Sequence, residues 1–250
     1  MTDPHASALP WWQAREISLK RKAAEAFRAA CAEPGDAFLI VTEGTVSEPV
    51  YFELLRKSLQ LSTVTVKVIP GRASDPRHVV QTAADEVKAL AHRVRRKRTA
   101  VDELDRFDHV WAVIDTDVAV RQGFWNDVVQ KARDLNVNLA HSTPCFEFWL
   151  LLHLQKTTRA DLVDGDAAKR IFREVFGRDY STNRSVTEVA FAELLSLWPI
   201  AVRHARQVRQ HHVSANTPPP PNPSTEADLL TCALNDAAQP HIRKIPCRYS

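Results

Sequence analysis

Apolar residues along the chain fall into short continuous runs and into stripes at helical spacing. Ala37-Phe38-Leu39-Ile40-Val41 is a continuous run, the pattern of a strand buried on both faces, and it leads directly into Thr42-Glu43-Gly44. Tyr51, Leu54, Leu55 and Leu59 then mark a helix that Thr45 or Ser47 can cap, with Pro49 in its first turn. Val64, Val66 and Val68 alternate with Thr63, Thr65 and Lys67, which predicts a second strand closed by Pro70-Gly71. Asp75-Pro76 starts a long helix along Val79, Val80, Ala83, Ala84, Val87, Leu90, Ala91 and Val94.

Val110-Trp111-Ala112-Val113-Ile114 is a third, wholly apolar strand that ends at Asp115-Thr116-Asp117. A helix from about Phe124 to Leu135, a strand from Val137 to Ala140 and a helix from Cys145 to Leu154 follow. Strands alternating with helices predict an α/β fold, a parallel sheet of about four strands covered by helices. Beyond Gln155 the strand signals stop, and Ala167–Phe176, Val186–Leu197 and Ile200–His212 are helical in pattern. Thr217 to Pro223 holds five prolines and reads as a linker or extended arm, after which Ser224 or Thr225 caps a last helix. The expected organisation is a basic N-terminal helix or extension over 1–36 and the α/β domain over 37–155. A helical region over 156–213 and a Pro-rich linker with a terminal helix or tail over 214–250 complete it.

Composition narrows the class without naming a function. The 250 residues are 44% hydrophobic, too many for a disordered chain, and no apolar run reaches the roughly 18 residues of a membrane helix. The N-terminus lacks the basic and apolar regions of a secretory signal, so a cytoplasmic protein is expected. Four scattered cysteines with no CxxC spacing argue against a zinc knuckle or a disulfide framework. With 33 Lys+Arg against 30 Asp+Glu the net charge is only +3, so an electrostatic site has to come from local clustering.

Such a cluster is visible. Glu43 follows the first apolar strand and Asp115 and Asp117 follow the third, so a parallel sheet brings all three to one edge, where open α/β sheets bind ligands. In extended conformation Asp115 and Asp117 point the same way, and Gly44 lets the backbone pass close to a ligand. Converging carboxylates repel one another, and a hard divalent cation relieves that repulsion; Mg2+ suits an oxygen-only site. The plainer reading is that each acid caps a helix or sits solvated in a turn.

Ile40-Val41-Thr42-Glu43-Gly44 and Ile114-Asp115-Thr116-Asp117 resemble the two motifs of Toprim domains. With Glu48-Pro49, Tyr51-Phe52, Ser74-Asp75-Pro76 and the block Ser142-x-Pro144-Cys145-Phe146-Glu147-x-Trp149-Leu150-Leu151-Leu152-His153, the chain resembles the RloB-like family. The likeness runs from about Phe38 to Leu154, with a weaker echo at Asn222-Pro223-Ser224-Thr225. It implies a Toprim-like sheet, with Glu43 as general acid/base or metal ligand and Asp115 and Asp117 holding Mg2+ (or Mn2+) for phosphodiester chemistry. It also implies a role in anti-phage defence, beside an ATPase encoded nearby, with DNA or RNA as substrate. A non-catalytic adaptor that binds nucleic acid or a partner is the rival expectation. A haloacid-dehalogenase-type phosphatase with Asp115 as nucleophile ranks third, because Asp115 follows the third strand rather than the first.

Other positions carry two readings. Glu147 is either a carboxylate favoured by a helix N-terminus or a fourth acid at the metal edge. Glu48 completes a capping box with Thr45 or joins the motif; Tyr51, Asp75, Cys145 and His153 are further motif positions. His153 reads first as a core or helix-end histidine, and its distance from Cys145 along one helix excludes a Cys–His nucleophile. Arg93, Arg95, Arg96, Lys97 and Arg98 form the densest basic run, joined late in the chain by Arg203, His204, Arg206, Arg209 and His211. They are candidate nucleic-acid contacts or a solvated face. The oligomeric state is not legible.

Overall fold

Every residue of strand β1 (Phe38–Thr42) is buried, as its unbroken apolar run requires. Its side chains alternate between two cores: Phe38 and Ile40 enter one, Leu39 and Val41 the other. The computed structural model describes residues 36–61, 66–70, 75–96, 106–180 and 183–245, all within one unit, Asp36–Ser250. The basic helix expected over Trp11 to Ala32 lies outside the described residues.

In these residues the strands are β1, β2 (Val66–Pro70), β3 (His109–Asp115), β4 (Asn138–Thr143) and β5 (Ser224–Thr225), in the order β2-β1-β3-β4-β5. The first four are parallel, and β5 pairs antiparallel with β4. Helices α1 (Ser47–Ser58), α2 (Pro76–Arg96), α3 (Asp117–Arg121), α4 (Trp125–Asp134) and α5 (Phe146–Leu154) connect or follow the parallel strands. Then come α6 (Gly165–Phe176), α7 (Arg184–Leu195), α8 (Trp198–Ser214) and α9 (Ala227–Ala237). The result is an α/β fold: a mostly parallel sheet flanked by helices.

One face of the sheet is covered by α2 and α4, through Val79, Val80, Ala83, Trp125, Val128 and Ala132. On the other face α5 is buried from Phe146 to His153, all the way round, as an apolar helix without a polar face must be. Helices α6 and α8 pack on it, so the C-terminal helices share one continuous core with Phe38, Ile40 and Val113. No single described helix is long and apolar enough to cross a membrane.

The expected end of strand signals at Gln155 is corrected by β5. The proline-rich arm delivers Ser224 and Thr225 to the free edge of β4, where Ser142 and Thr225 hydroxyls hydrogen-bond at 2.8 Å and Glu226 N–H donates to His141 O. A two-residue strand has no period to read, which is why the pattern misses it. Arg209 fixes this edge: its guanidinium meets both carboxylate oxygens of fully buried Asp228 at 2.6 Å and donates to Thr225 O at 2.8 Å.

Two caps also differ from expectation. The N-cap of α1 is Val46, without a side-chain cap, so Thr45 and Ser47 do not serve; Thr225 accepts from Ala227 N–H, but the N-cap of α9 is Glu226. Asp75 does start α2, accepting Arg77 N–H at 2.9 Å.

Candidate functional site

Strand β1 has β2 on one side and β3 on the other, so successive connections leave it in opposite directions. The crevice between the C-terminal ends of β1 and β3 is therefore the switch point at which open α/β sheets bind ligands. Glu43 leaves β1 there. Its N–H donates to Val113 O at 2.9 Å, and its Oε2 accepts Asp115 N–H at 3.1 Å. Asp115, the last residue of β3, in turn accepts Phe146 N–H at Oδ1 (2.9 Å), where the N-terminus of α5 favours a negative charge.

Glu48, buried in the first turn of α1, reaches back to accept Gly44 N–H at Oε1 (3.2 Å), in place of the expected capping box with Thr45. Gly44 is required for close approach: a Cβ there would lie 2.1 Å from the Glu48 carboxylate. Glu147, also buried, accepts the Cys145 thiol at Oε2 (3.0 Å), a thiol that also leans on Gly165 O at 3.6 Å. Glu43, Glu48, Asp115 and Glu147 thus form one acidic cluster.

The electrostatics follow from that crowding. Burial, reinforced by the charges of Glu48, Asp117 and Asp75, pushes Glu43 up to about 7, against the Asp115 N–H that favours its anion. Burial and the Glu147 charge raise Glu48 to about 7. Asp115 is raised well above the usual range by burial and then by Glu48, Glu43 and Glu147. Burial also pushes the Cys145 thiol up, with Glu147 and Asp115 adding to it, so it is not an activated nucleophile.

Lys169, half-buried on α6, is the cation that answers this cluster. Burial pulls its pKa down, but the charges of Glu147, Cys145, Asp115 and Asp166 more than offset that. Sequence reasoning missed it, because a single lysine on an amphipathic helix carries no signal until the helix is docked.

Asp117 does not align with Asp115. The strand ends at Asp115, and Asp117 is already the first residue of α3, so the extended-chain premise does not hold. Its Oδ1 accepts its neighbour's N–H, from Val118 at 2.6 Å, and its Oδ2 lies against Gly165, where a Cβ would come within 3.1 Å. It remains close enough for its charge to act on Glu43.

Several motif positions are structural. His153 donates from Nδ1 to Trp149 O and accepts the Tyr51 hydroxyl at Nε2, both at 3.0 Å, and burial lowers its pKa to about 3. Both side chains are core. Asp75 pairs with Arg77. Of the basic residues, Arg93, Arg203 and His211 are exposed, whereas Arg209 holds Asp228, Arg206 reaches Cys232 Sγ and His204 binds Leu152 O. These last three make contacts within the fold and are half-buried rather than a fully solvated face. Arg95 and Arg96 end α2, and their side chains, with all of Lys97 and Arg98, lie outside the described residues.

The donor chemistry of the crevice suits a hard divalent cation: it is carboxylate-rich, with pKa values raised by burial and by the mutual repulsion of the acids. Among the described residues, however, no three His, Cys, Asp or Glu are grouped so as to hold a metal ion. Glu43 and Asp115 each keep one carboxylate oxygen free of the backbone bonds above, which fits the one or two carboxylates that Mg2+ commonly takes alongside water.

The fold and the crevice define an α/β protein with a buried acidic cluster at the switch point of its sheet. The chain belongs to the RloB-like protein family, whose family model matches residues 38–234. The match takes in the C-terminal helices and β5 as well as the stretch from Phe38 to Leu154. Comparison with the curated proteins and with the solved structures returns no match.

Proposed function

We propose that the protein is a Mg2+- (or Mn2+-) dependent nuclease of Toprim type that hydrolyses phosphodiesters of DNA or RNA in anti-phage defence, together with an ATPase partner. The reading rests on one observation: Glu43 and Asp115, joined by a hydrogen bond, lie at the switch point inside an acidic cluster that a divalent cation would stabilise. Asp115 would hold the cation through its free carboxylate oxygen, with Glu43 either as the second carboxylate or as the general acid/base. When bound, such a cation neutralises phosphate charge and lowers the pKa of a water.

The chain's own residues supply the rest. The Asp115 N–H holds Glu43 Oε2, leaving Oε1 to take a proton from the attacking water or return one to the leaving oxygen. Lys169 supplies positive charge on the α6 side of the crevice, where a phosphate would bring more negative charge. The defence role and the ATPase partner follow from the family resemblance. Incubating plasmid and tRNA with the protein, with and without the ATPase and with Mg2+ or Mn2+, tests the reading. Cleavage that Glu43→Gln and Asp115→Asn abolish is expected.

The adaptor reading keeps one observation in its favour: every acid in the cluster already has a protein hydrogen-bond donor, or Lys169, nearby. It predicts binding to nucleic acid or to the ATPase that is unchanged in Asp115→Asn and indifferent to metal.

A further inference from the structure

A cavity of about 320 Å³ opens beside the acidic cluster, lined in part by Asp117, whose charge acts on Glu43. Its walls come from elements far apart in sequence: Val120 and Arg121 from α3, Val163 from the loop before α6, and Pro220 and Asn222 from the proline-rich arm. Three features set it apart from ordinary surface. Val120 and Val163 are 44% and 66% exposed, although both are large aliphatic side chains. Arg121 forms no ion pair with any described carboxylate, so its guanidinium is available to an anion. Asn222 is anchored by its amide N–H, which donates to Val163 O at 3.5 Å, and its Oδ1 takes no hydrogen bond from a described residue.

The arm is built as a wall. Pro220 and Asn222 line this cavity, whereas Pro218, Pro219 and Pro221 line another, together with His141 and Arg209. Proline fixes φ and removes rotatable freedom, so the wall is stiff before anything binds.

We infer that this cavity binds one nucleoside of the strand, next to the phosphate held at the acidic cluster. The base lies between Val120, Val163 and Pro220, Asn222 meets its edge, and Arg121 takes an adjoining phosphate. The inference rests on the nuclease reading for the identity of the strand. The chemistry is that of a base pocket: apolar side chains on the faces of a ring, one amide to read its edge, one cation for the phosphate. A bare anion site would have no use for the two exposed valines. An apolar ligand would leave Arg121 and Asn222 without partners.

Calorimetric titration of the full chain in EDTA tests this, with the ribonucleoside 5′-monophosphates, their 2′-deoxy counterparts and inorganic phosphate as probes. At least one nucleotide should bind about tenfold tighter than phosphate, and Arg121→Glu and Val163→Glu should each weaken it by about tenfold or more. Both positions are exposed, and thermal melting checks that the variants fold. Methyl chemical shifts of Val120 and Val163 in the wild type give a readout that needs no variant. No nucleotide binding, binding no tighter than phosphate, unaltered affinity in both variants, or shifts that spare both valines would overturn the inference. Because metal and cleavage play no part, this result separates from the nuclease test: Asp115→Asn can abolish cleavage while nucleotides fail to bind here, and the reverse.

Discussion

The Asp115 N–H donates to Glu43 Oε2 at 3.1 Å across 72 residues of sequence, joining the ends of β1 and β3 at the point where the sheet's connections diverge. The same Asp115 carboxylate accepts Phe146 N–H, so the site is tied to the N-terminus of the buried helix α5 as well. One residue therefore sets the geometry of the acidic edge with its backbone and part of its charge with its side chain.

Removing charge at this pair should separate chemistry from folding. Asp115→Asn and Glu43→Gln are expected to lower cleavage by about a hundredfold or more while the protein stays folded. In the wild type, Mg2+ at a hundred times its dissociation constant should stabilise the native state by about 2.7 kcal/mol, a gain lost in Asp115→Asn. A melting temperature indifferent to millimolar Mg2+ and Mn2+ would favour the adaptor.

Stability should fall as pH rises from about 5 to about 7. An unfolded carboxylate of this type ionises near 4.5, whereas folded Glu48 is raised to about 7 by burial and by the Glu147 charge. Between those values the native state keeps a proton that the unfolded chain has released. The contribution is therefore full below the lower value and is lost on approaching the upper one, by at most about 1.4 kcal/mol per pH unit. Chemical denaturation of the wild type and Glu48→Gln across this range checks it, and the variant should show the shallower slope.

Gly44→Ala should disturb the cluster without touching an acid. The new Cβ would fall 2.1 Å from the Glu48 carboxylate and displace it from the Gly44 N–H, at a cost of about 1–3 kcal/mol. Combining it with Glu48→Ala should cost less than the sum of the two single changes, since the second removes what the first collides with. Urea denaturation of the four proteins gives the coupling energy.

Arg209→Ala should destabilise the protein by about 3–5 kcal/mol, because it leaves the fully buried Asp228 carboxyl without the guanidinium that holds both its oxygens behind β5. Asp228→Asn in the same background should recover part of the loss. Equal stability of the wild type and Arg209→Ala would show that the pair contributes nothing to seating the arm.

Strands β1 and β3 were legible because burial on both faces demands continuous apolar runs, and Phe38–Val41 and Val110–Ile114 are such runs; β2 was legible from the alternation of Val66 and Val68 with Lys67. The meeting of Glu43 with Asp115 was legible too, since in a parallel sheet both strands end on one edge. Asp117 was misplaced for a local reason: two residues apart means one side only while the backbone is extended, and α3 begins at Asp117 itself. Long-range packing decided the rest. Lys169, Arg121 and Asn222 reach the crevice or its neighbouring cavity only once α6, α3 and the proline-rich arm have docked, and no spacing records that. Sequence by itself determined the four parallel strands, their shared edge and the acids upon it, because those follow from local periodicity and chain direction. Tertiary structure alone decided which cation answers the acids and what walls the cavity beside them, because these depend on contacts between residues tens of positions apart.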